Sequence, residues 1–63
     1  MDQEKVRKCI HDLNNRVGIV LANAEIMQLE QLPPKSLERT KVIEAKTLEI
    51  RQLIRDITQH LLG

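Results

Sequence analysis

The feature that most constrains this chain is a pair of adjacent prolines, Pro33 and Pro34, between two long segments with heptad patterning. Proline lacks a backbone N–H and disfavours helical backbone in the residue before it, so no helix continues from the N-terminal side through Leu32. Pro34 is tolerated in the first turn of a following helix. Alternatively, Ser36 could be the N-cap residue at which that helix begins. We expect a connection at about residues 32–35, short enough to fold the two segments back on each other.

Both flanking segments carry apolar residues at alternating spacings of three and four, the pattern of helices that pack along a seam. We predict helices over about residues 2–31 and 36–62. The predicted seam comprises Val6, Ile10, Leu13, Val17, Val20, Ala24 and Met27 in the first helix, and Ile43, Thr47, Ile50, Ile54, Ile57 and Leu61 in the second. The predicted fold class is all-α, an antiparallel helical hairpin that forms one domain over residues 1–63.

The small size of the chain predicts an oligomer. A chain of 63 residues buries only about 60% of its unfolded surface, and folds of this size usually need a disulfide, a metal or a partner chain. Cys9 is the single cysteine and the two histidines are far apart, so neither a disulfide within the chain nor a metal site is expected. Two hairpins side by side would cover both seams. We therefore predict a homodimer with two-fold symmetry, a four-helix bundle.

The charge and composition argue against several classes of partner. The formal net charge is +1 with 30% charged residues, which does not favour a nucleic-acid arm or a polybasic membrane patch. The chain has no aromatic residues on which nucleic-acid bases could stack. The longest apolar run, residues 19–22, is too short to span a bilayer, and the polar start does not resemble a signal peptide. We expect a cytoplasmic location without nucleic acid or direct membrane contact, leaving open a membrane anchor in a longer protein.

A cluster of chemically useful side chains, His11-Asp12-Leu13-Asn14-Asn15, lies inside the first predicted helix. His11 and Asn15 are one turn apart and share a face. Imidazole is a good nucleophile near pH 7, and a neighbouring carboxylate such as Asp12 can hold one ring N–H while the other nitrogen attacks. Asn15 could orient a water molecule. This chemistry fits phosphoryl transfer, whereas the plainer interpretation is a solvated surface histidine outside the seam.

The same helix face becomes small and then apolar beyond His11. Gly18 is costly inside a helix, by about 1 kcal/mol relative to Ala, and one use of such a residue is close approach by another backbone. An exposed apolar patch often marks an interaction site. We predict that this surface, named here the docking face, receives a partner; the alternative is that the four-helix bundle buries it. The docking face consists of Asn14, Gly18, Ile19, Ala22 and Ile26.

The segment 11–15 within a helical hairpin resembles the H-box of the dimerisation and histidine-phosphotransfer domain of sensor histidine kinases. The resemblance spans nearly the whole chain, as motif helix, short loop and second helix. The motif is similar to the variant with Asp after the histidine and paired asparagines. The commoner pattern has Glu there and a proline five residues beyond the histidine, where this chain has Arg16; Gly18 could soften the helix instead.

That resemblance implies that His11 is the phosphoacceptor for the γ-phosphate of ATP and that Asp12 is the general base. It implies that Asn15 serves dephosphorylation of a response regulator, whose receiver domain would bind the docking face. The chain has only two glycines and no glycine-rich phosphate loop, so ATP and Mg would belong to a separate kinase domain, with no cofactor on this chain. Two alternatives are a stand-alone phosphotransfer protein and a purely structural dimerisation module.

Overall fold

The computed structural model describes residues 2–62 as two α-helices, α1 over Gln3–Gln28 and α2 over Pro34–Leu62. The helices lie side by side in a hairpin 46 Å long and about one helix pair in cross-section, 16 by 14 Å. This confirms the predicted all-α hairpin. Within residues 2–62, neither helix contains an apolar stretch of the length needed to cross a membrane.

Helix α1 begins at a capping aspartate and ends earlier than predicted. The Asp2 carboxylate accepts a hydrogen bond from the backbone N–H of Lys5 at 2.9 Å, which satisfies one of the free donors of the first turn. At the other end, the Leu29 N–H donates to the Ile26 carbonyl at 3.0 Å. This tighter hydrogen bond, from residue i to residue i−3, closes the last turn. The helix therefore stops at Gln28, three residues before the expected end.

Helix α2 begins two residues earlier than predicted, at Pro34. The Leu37 N–H donates to the Pro33 carbonyl at 2.9 Å, so the first hydrogen-bonded turn already starts at Pro33. Pro34 occupies the first helical position, where its missing N–H leaves no partner unsatisfied. Ser36 consequently lies inside the first turn and is not the cap. The connection between the helices is five residues long, 29–33.

The core of the hairpin is thin. One heptad position supplies it in α2, and one heptad position together with Leu21 supplies it in α1. The core residues are each less than a tenth exposed: Val17, Leu21 and Ala24 in α1, and Thr40, Thr47 and Ile54 in α2. The buried hydroxyls are satisfied within their own helix, since Thr40 donates to the Leu37 carbonyl at 2.8 Å and Thr47 to the Ile43 carbonyl at 2.6 Å. A polar side chain can therefore occupy this core without an unpaired donor.

Side-chain hydrogen bonds do not join the two helices. Within residues 2–62, each side-chain hydrogen bond and the one ion pair connect groups three or four residues apart along the chain. Within residues 2–62, therefore, α1 is held against α2 by apolar and van der Waals packing.

The rest of the predicted seam remains in solvent. In both helices, an exposed apolar residue lies three positions after each buried member of the heptad positions of Val17 and Thr47, and after the half-buried Ile10. These residues are 40–50% exposed. In an antiparallel pair, equal rotations from the contact line lead to the same side of the hairpin. Both sets therefore form one surface, named here the apolar face. The apolar face consists of Leu13, Val20 and Met27 with Ile43, Ile50 and Ile57.

A pair of core substitutions tests this packing. We expect Ile54→Ala to lower the free energy of unfolding by about 2–4 kcal/mol, because it deletes buried methyl groups from a core with few other members. We expect Thr47→Val to be neutral or stabilising by up to about 1 kcal/mol, because it keeps the shape and removes a hydroxyl that bonds only its own helix. Urea unfolding at one fixed chain concentration measures both. A Thr47→Val loss as large as the Ile54→Ala loss would contradict the arrangement.

Candidate functional site

His11 projects into solvent from the third turn of α1, and Asn15 lies against it. The Asn15 Nδ2 atom is 3.5 Å from the His11 Nδ1 atom, at the outer limit of a hydrogen bond. An amide offers both a donor and an acceptor, and which atom faces the ring is set by the hydrogen-bond network. With the Asn15 oxygen towards the ring, it accepts the Nδ1 proton and leaves the Nε2 lone pair free to attack. The predicted pairing of the two residues on one face is present.

Within residues 2–62, the Asp12 carboxylate is not hydrogen-bonded to the imidazole of His11. The side chain of Asp12 is half-buried, and the Asp12 backbone carbonyl accepts a hydrogen bond from Arg16 Nη1 at 3.2 Å. Adjacent helical residues diverge by about 100°, which separates the Asp12 carboxylate from the imidazole. Within residues 2–62, the imidazole of His11 is paired with Asn15 and not with Asp12. The role of Asp12 as general base stays a prediction that requires the carboxylate to move towards the ring.

Gly18 is not required by the internal packing of the hairpin. The backbone of α1 remains helical through Arg16 and Gly18, and Gly18 does not have a positive φ. A Cβ atom built at Gly18 would meet nothing within 4 Å. The space beside Gly18 is therefore open to a partner, and α1 is continuous at the position where the commoner motif carries proline.

The docking face is open in the hairpin. Ile19 is 62% exposed and Ile26 is 56% exposed, and Asn14 and Ala22 are also exposed. These residues lie away from the apolar face, because Gly18 and Leu13 flank the buried contact line of α1 on opposite sides. A bundle that forms through the apolar face would therefore leave the docking face accessible.

A groove between the two helices lies just beyond His11, and it brings in residues that sequence reasoning missed. Two arginines of α2, Arg51 and Arg55, form its far wall, and six residues of α1 form the near wall: Asn14, Asn15, Gly18, Leu21, Ala22 and Glu25. The signal that could have revealed Arg51 is its position four residues after the buried Thr47. That spacing corresponds to Leu21 after Val17, at the edge of the contact line.

The second histidine has a different environment. His60 lies in the last turn of α2, where its Nδ1–H donates to the Asp56 carbonyl at 2.9 Å. It does not line the groove beside Asn15. His60 is thus an exposed imidazole of the same chain without the arrangement found at His11. In the part of the chain that the structure describes, no three His, Cys, Asp or Glu side chains come together as a metal site.

Comparison of the chain with protein-family models, curated proteins and solved structures finds no match. The candidate function therefore rests on the residues around His11 and on the two opposed faces of the hairpin.

Proposed function

We propose that this chain is the phosphoacceptor and dimerisation domain of a sensor histidine kinase. The observation that supports this best is the exposed imidazole of His11, paired with Asn15 above an open groove and lying away from the apolar face. That arrangement leaves a nucleophile accessible to two successive partners while a second chain covers the other side. An exposed bystander histidine would not need the neighbouring amide and groove.

The proposed reaction is a double displacement at phosphorus. The Nε2 lone pair of His11 attacks the γ-phosphorus of ATP held by a separate kinase domain, the bond from phosphorus to the bridging oxygen breaks, and ADP leaves with that electron pair. The Asp12 carboxylate takes the Nδ1 proton of the resulting imidazolium. An aspartate carboxylate of the response regulator then attacks the phosphorus. The N–P bond breaks with its electron pair going to Nε2, and Asp12 returns the proton to Nδ1, so that neutral imidazole leaves.

Asn15 has two proposed tasks in this scheme. While the imidazole is free, the Asn15 amide oxygen, turned towards the ring, accepts a hydrogen bond from Nδ1–H and so favours the tautomer whose Nε2 is unprotonated. After transfer to the regulator, the same amide lies next to the vacated site, where it can orient a water molecule towards the acyl phosphate. The amide position that supports both proposed tasks is 3.5 Å from the ring.

A second copy of this chain is the proposed occupant of the apolar face. The face repeats the heptad spacing of the buried contact line, so it is shaped for helices that pack in the same way. Its side chains are about half exposed in one hairpin, and two-fold pairing would bury them against their own equivalents. The resulting four-helix bundle would stabilise a hairpin that has few buried residues of its own.

The phosphoacceptor assignment predicts that one histidine takes up a phosphoryl group efficiently. We expect phosphoramidate, a small donor, to phosphorylate the parent chain at His11, because the Nε2 atom there is exposed and nucleophilic. His11→Gln should lose this modification, and His60→Gln, which removes the other imidazole, should react like the parent. Mass spectrometry at neutral or alkaline pH locates the acid-labile group. Uptake by His11→Gln at the rate of the parent would overturn the assignment.

The dimer proposal predicts a change of mass in solution. We expect the parent chain to sediment as a dimer at micromolar concentration, and Val20→Glu with Ile50→Glu to weaken association about a hundredfold or more, since burying an unpaired carboxylate costs several kcal/mol. Ile19→Glu, on the docking face, provides the matched control and should remain dimeric. A monomeric parent under these conditions would refute the proposed bundle.

Gly18 gives a test of the docking face that needs no partner. We expect Gly18→Ala to raise the free energy of unfolding by up to about 1 kcal/mol, because the added methyl group meets open space and alanine is the better helix former. Thermal unfolding followed by circular dichroism measures this effect, with Ala22→Gly as the reverse change. A destabilised Gly18→Ala chain would mean that Gly18 is needed by the fold itself, and not by a partner.

A further inference from the structure

The groove beside His11 has a mostly polar lining with a net positive charge. Two guanidinium groups, from Arg51 and Arg55, face one carboxylate, from Glu25, which leaves one net positive charge among the lining residues. Asn14 and Asn15 add amide donors on the opposite wall. This set of donors matches an oxyanion better than an apolar ligand.

The two guanidinium groups are not held in ion pairs by the hairpin. Within residues 2–62, the ion pair at 4.0 Å or less is that of Lys46 with Glu49, at 3.1 Å on the exposed surface of α2. Arg51 is half-buried, and arginine remains charged at any ordinary pH. A partly desolvated cation without a carboxylate at ion-pair distance gains stability when an anion binds next to it.

The groove is connected to His11 through one side chain. Asn15 forms part of the groove lining, and its Nδ2 atom is also 3.5 Å from His11 Nδ1. An anion held between Asn15 and the α2 arginines would therefore lie next to the imidazole. This juxtaposition arises only because the hairpin places the Arg51–Arg55 turn of α2 opposite the Asn14–Gly18 turn of α1.

We propose that this groove is an oxyanion site in which Arg51 and Arg55 bind the phosphoryl group that His11 accepts and gives up. The identity of the phosphoryl group rests on the proposed function, whereas binding of a free phosphate ion does not. Each guanidinium presents paired N–H donors that match two oxygens of a phosphoryl group. In phosphoryl transfer, the charge on these oxygens is stabilised by fixed donors and cations, so the arginines lower the barrier by electrostatics and positioning.

The first experiment measures anion binding to the full chain without any reaction. Inorganic phosphate is titrated at constant ionic strength set with chloride, and NMR follows the Asn14 and Asn15 side-chain amides and the Arg51 and Arg55 Nε–H groups. We expect saturable shifts at these groups. The double variant Arg51→Gln/Arg55→Gln should bind phosphate about tenfold more weakly, whereas Arg39→Gln, an exposed arginine of the same helix outside this groove, should bind like the parent.

Two further variants distinguish a binding role from a structural one. Glu25→Gln removes the one carboxylate of the lining, so it should tighten phosphate binding. Arg51→Lys/Arg55→Lys keeps the charge but loses the paired donors, so it should restore part of the affinity. If the half-buried Arg51 proves necessary for folding, Arg55→Gln alone carries the same test, because Arg55 is exposed. Shifts that are absent in the parent, or unchanged in the glutamine variants, overturn the proposal.

The second experiment measures reaction with phosphoramidate, whose P–N bond breaks as the bond from phosphorus to His11 Nε2 forms and ammonia leaves. We expect the rate of phosphohistidine formation in Arg51→Gln/Arg55→Gln to fall about tenfold, which corresponds to about 1.4 kcal/mol. The fall should appear mainly in the phosphoramidate concentration that half-saturates the rate. Arg39→Gln should match the parent, and a double variant as fast as the parent overturns the proposal.

The two experiments separate this proposal from the proposed function. If phosphate binds in the groove but His11 never becomes phosphorylated, the anion site stands and the phosphoacceptor assignment falls. If His11 is phosphorylated at a rate that does not depend on Arg51 and Arg55, the assignment stands and the anion site falls.

Discussion

The hairpin depends on how each helix distributes its apolar residues around the axis. In each helix, one heptad position lies against the other helix, joined in α1 by Leu21, and the apolar residue three positions after that heptad position stays in solvent. The first set combines smaller members, such as Ala24 and Thr47, with the larger Ile54. The second set is larger, with Val20 and Ile50 as typical members. A single chain buries one part of its own heptad pattern and leaves the other part exposed.

This division gives the two sides of the hairpin different properties. The apolar face on one side has the residues and spacing for association between helices. The opposite side has an imidazole, two asparagines, an open glycine and two arginines around one groove. Chemistry and association can therefore proceed at the same time, because neither uses the surface of the other. The proposed phosphotransfer function needs this separation, since the imidazole must meet successive partners while the bundle stays assembled.

The hairpin could be predicted from the sequence because the adjacent prolines and the two heptad patterns constrain it strongly. The helix ends could not be placed to the residue, since the Leu29 turn and the early start at Pro34 depend on local hydrogen bonds that several sequences would permit. The sequence also could not show which seam residues are buried within one hairpin and which stay exposed. Alternating spacings of three and four do not say which position faces the other helix. Val20 and Ile50 looked equivalent to Ala24 and Thr47, although only the latter are buried.

At the candidate site, the sequence showed what lies on one helix and missed what comes from the other. His11 and Asn15 are four residues apart, so their contact follows from helical geometry alone. Arg51 and Arg55 reach the same groove only through the register between α1 and α2, which depends on the loop over residues 29–33. Asp12 is adjacent to His11 in sequence, but successive residues of a helix project about 100° apart around its axis.

The threonines of the core have a mechanical consequence. Thr40 and Thr47 in the core, and the half-buried Thr58, each donate a hydrogen bond to a carbonyl of their own helix, so their hydroxyls turn with α2 as a unit. Twisting one helix about its long axis would break apolar contacts but would leave all of these bonds intact. Such an interface would allow one helix to rotate against the other without breaking a side-chain hydrogen bond. A rotation imposed at the start of α1 would reach His11 after about two turns of helix. It would change the orientation of the imidazole relative to the arginines on the far wall of the groove.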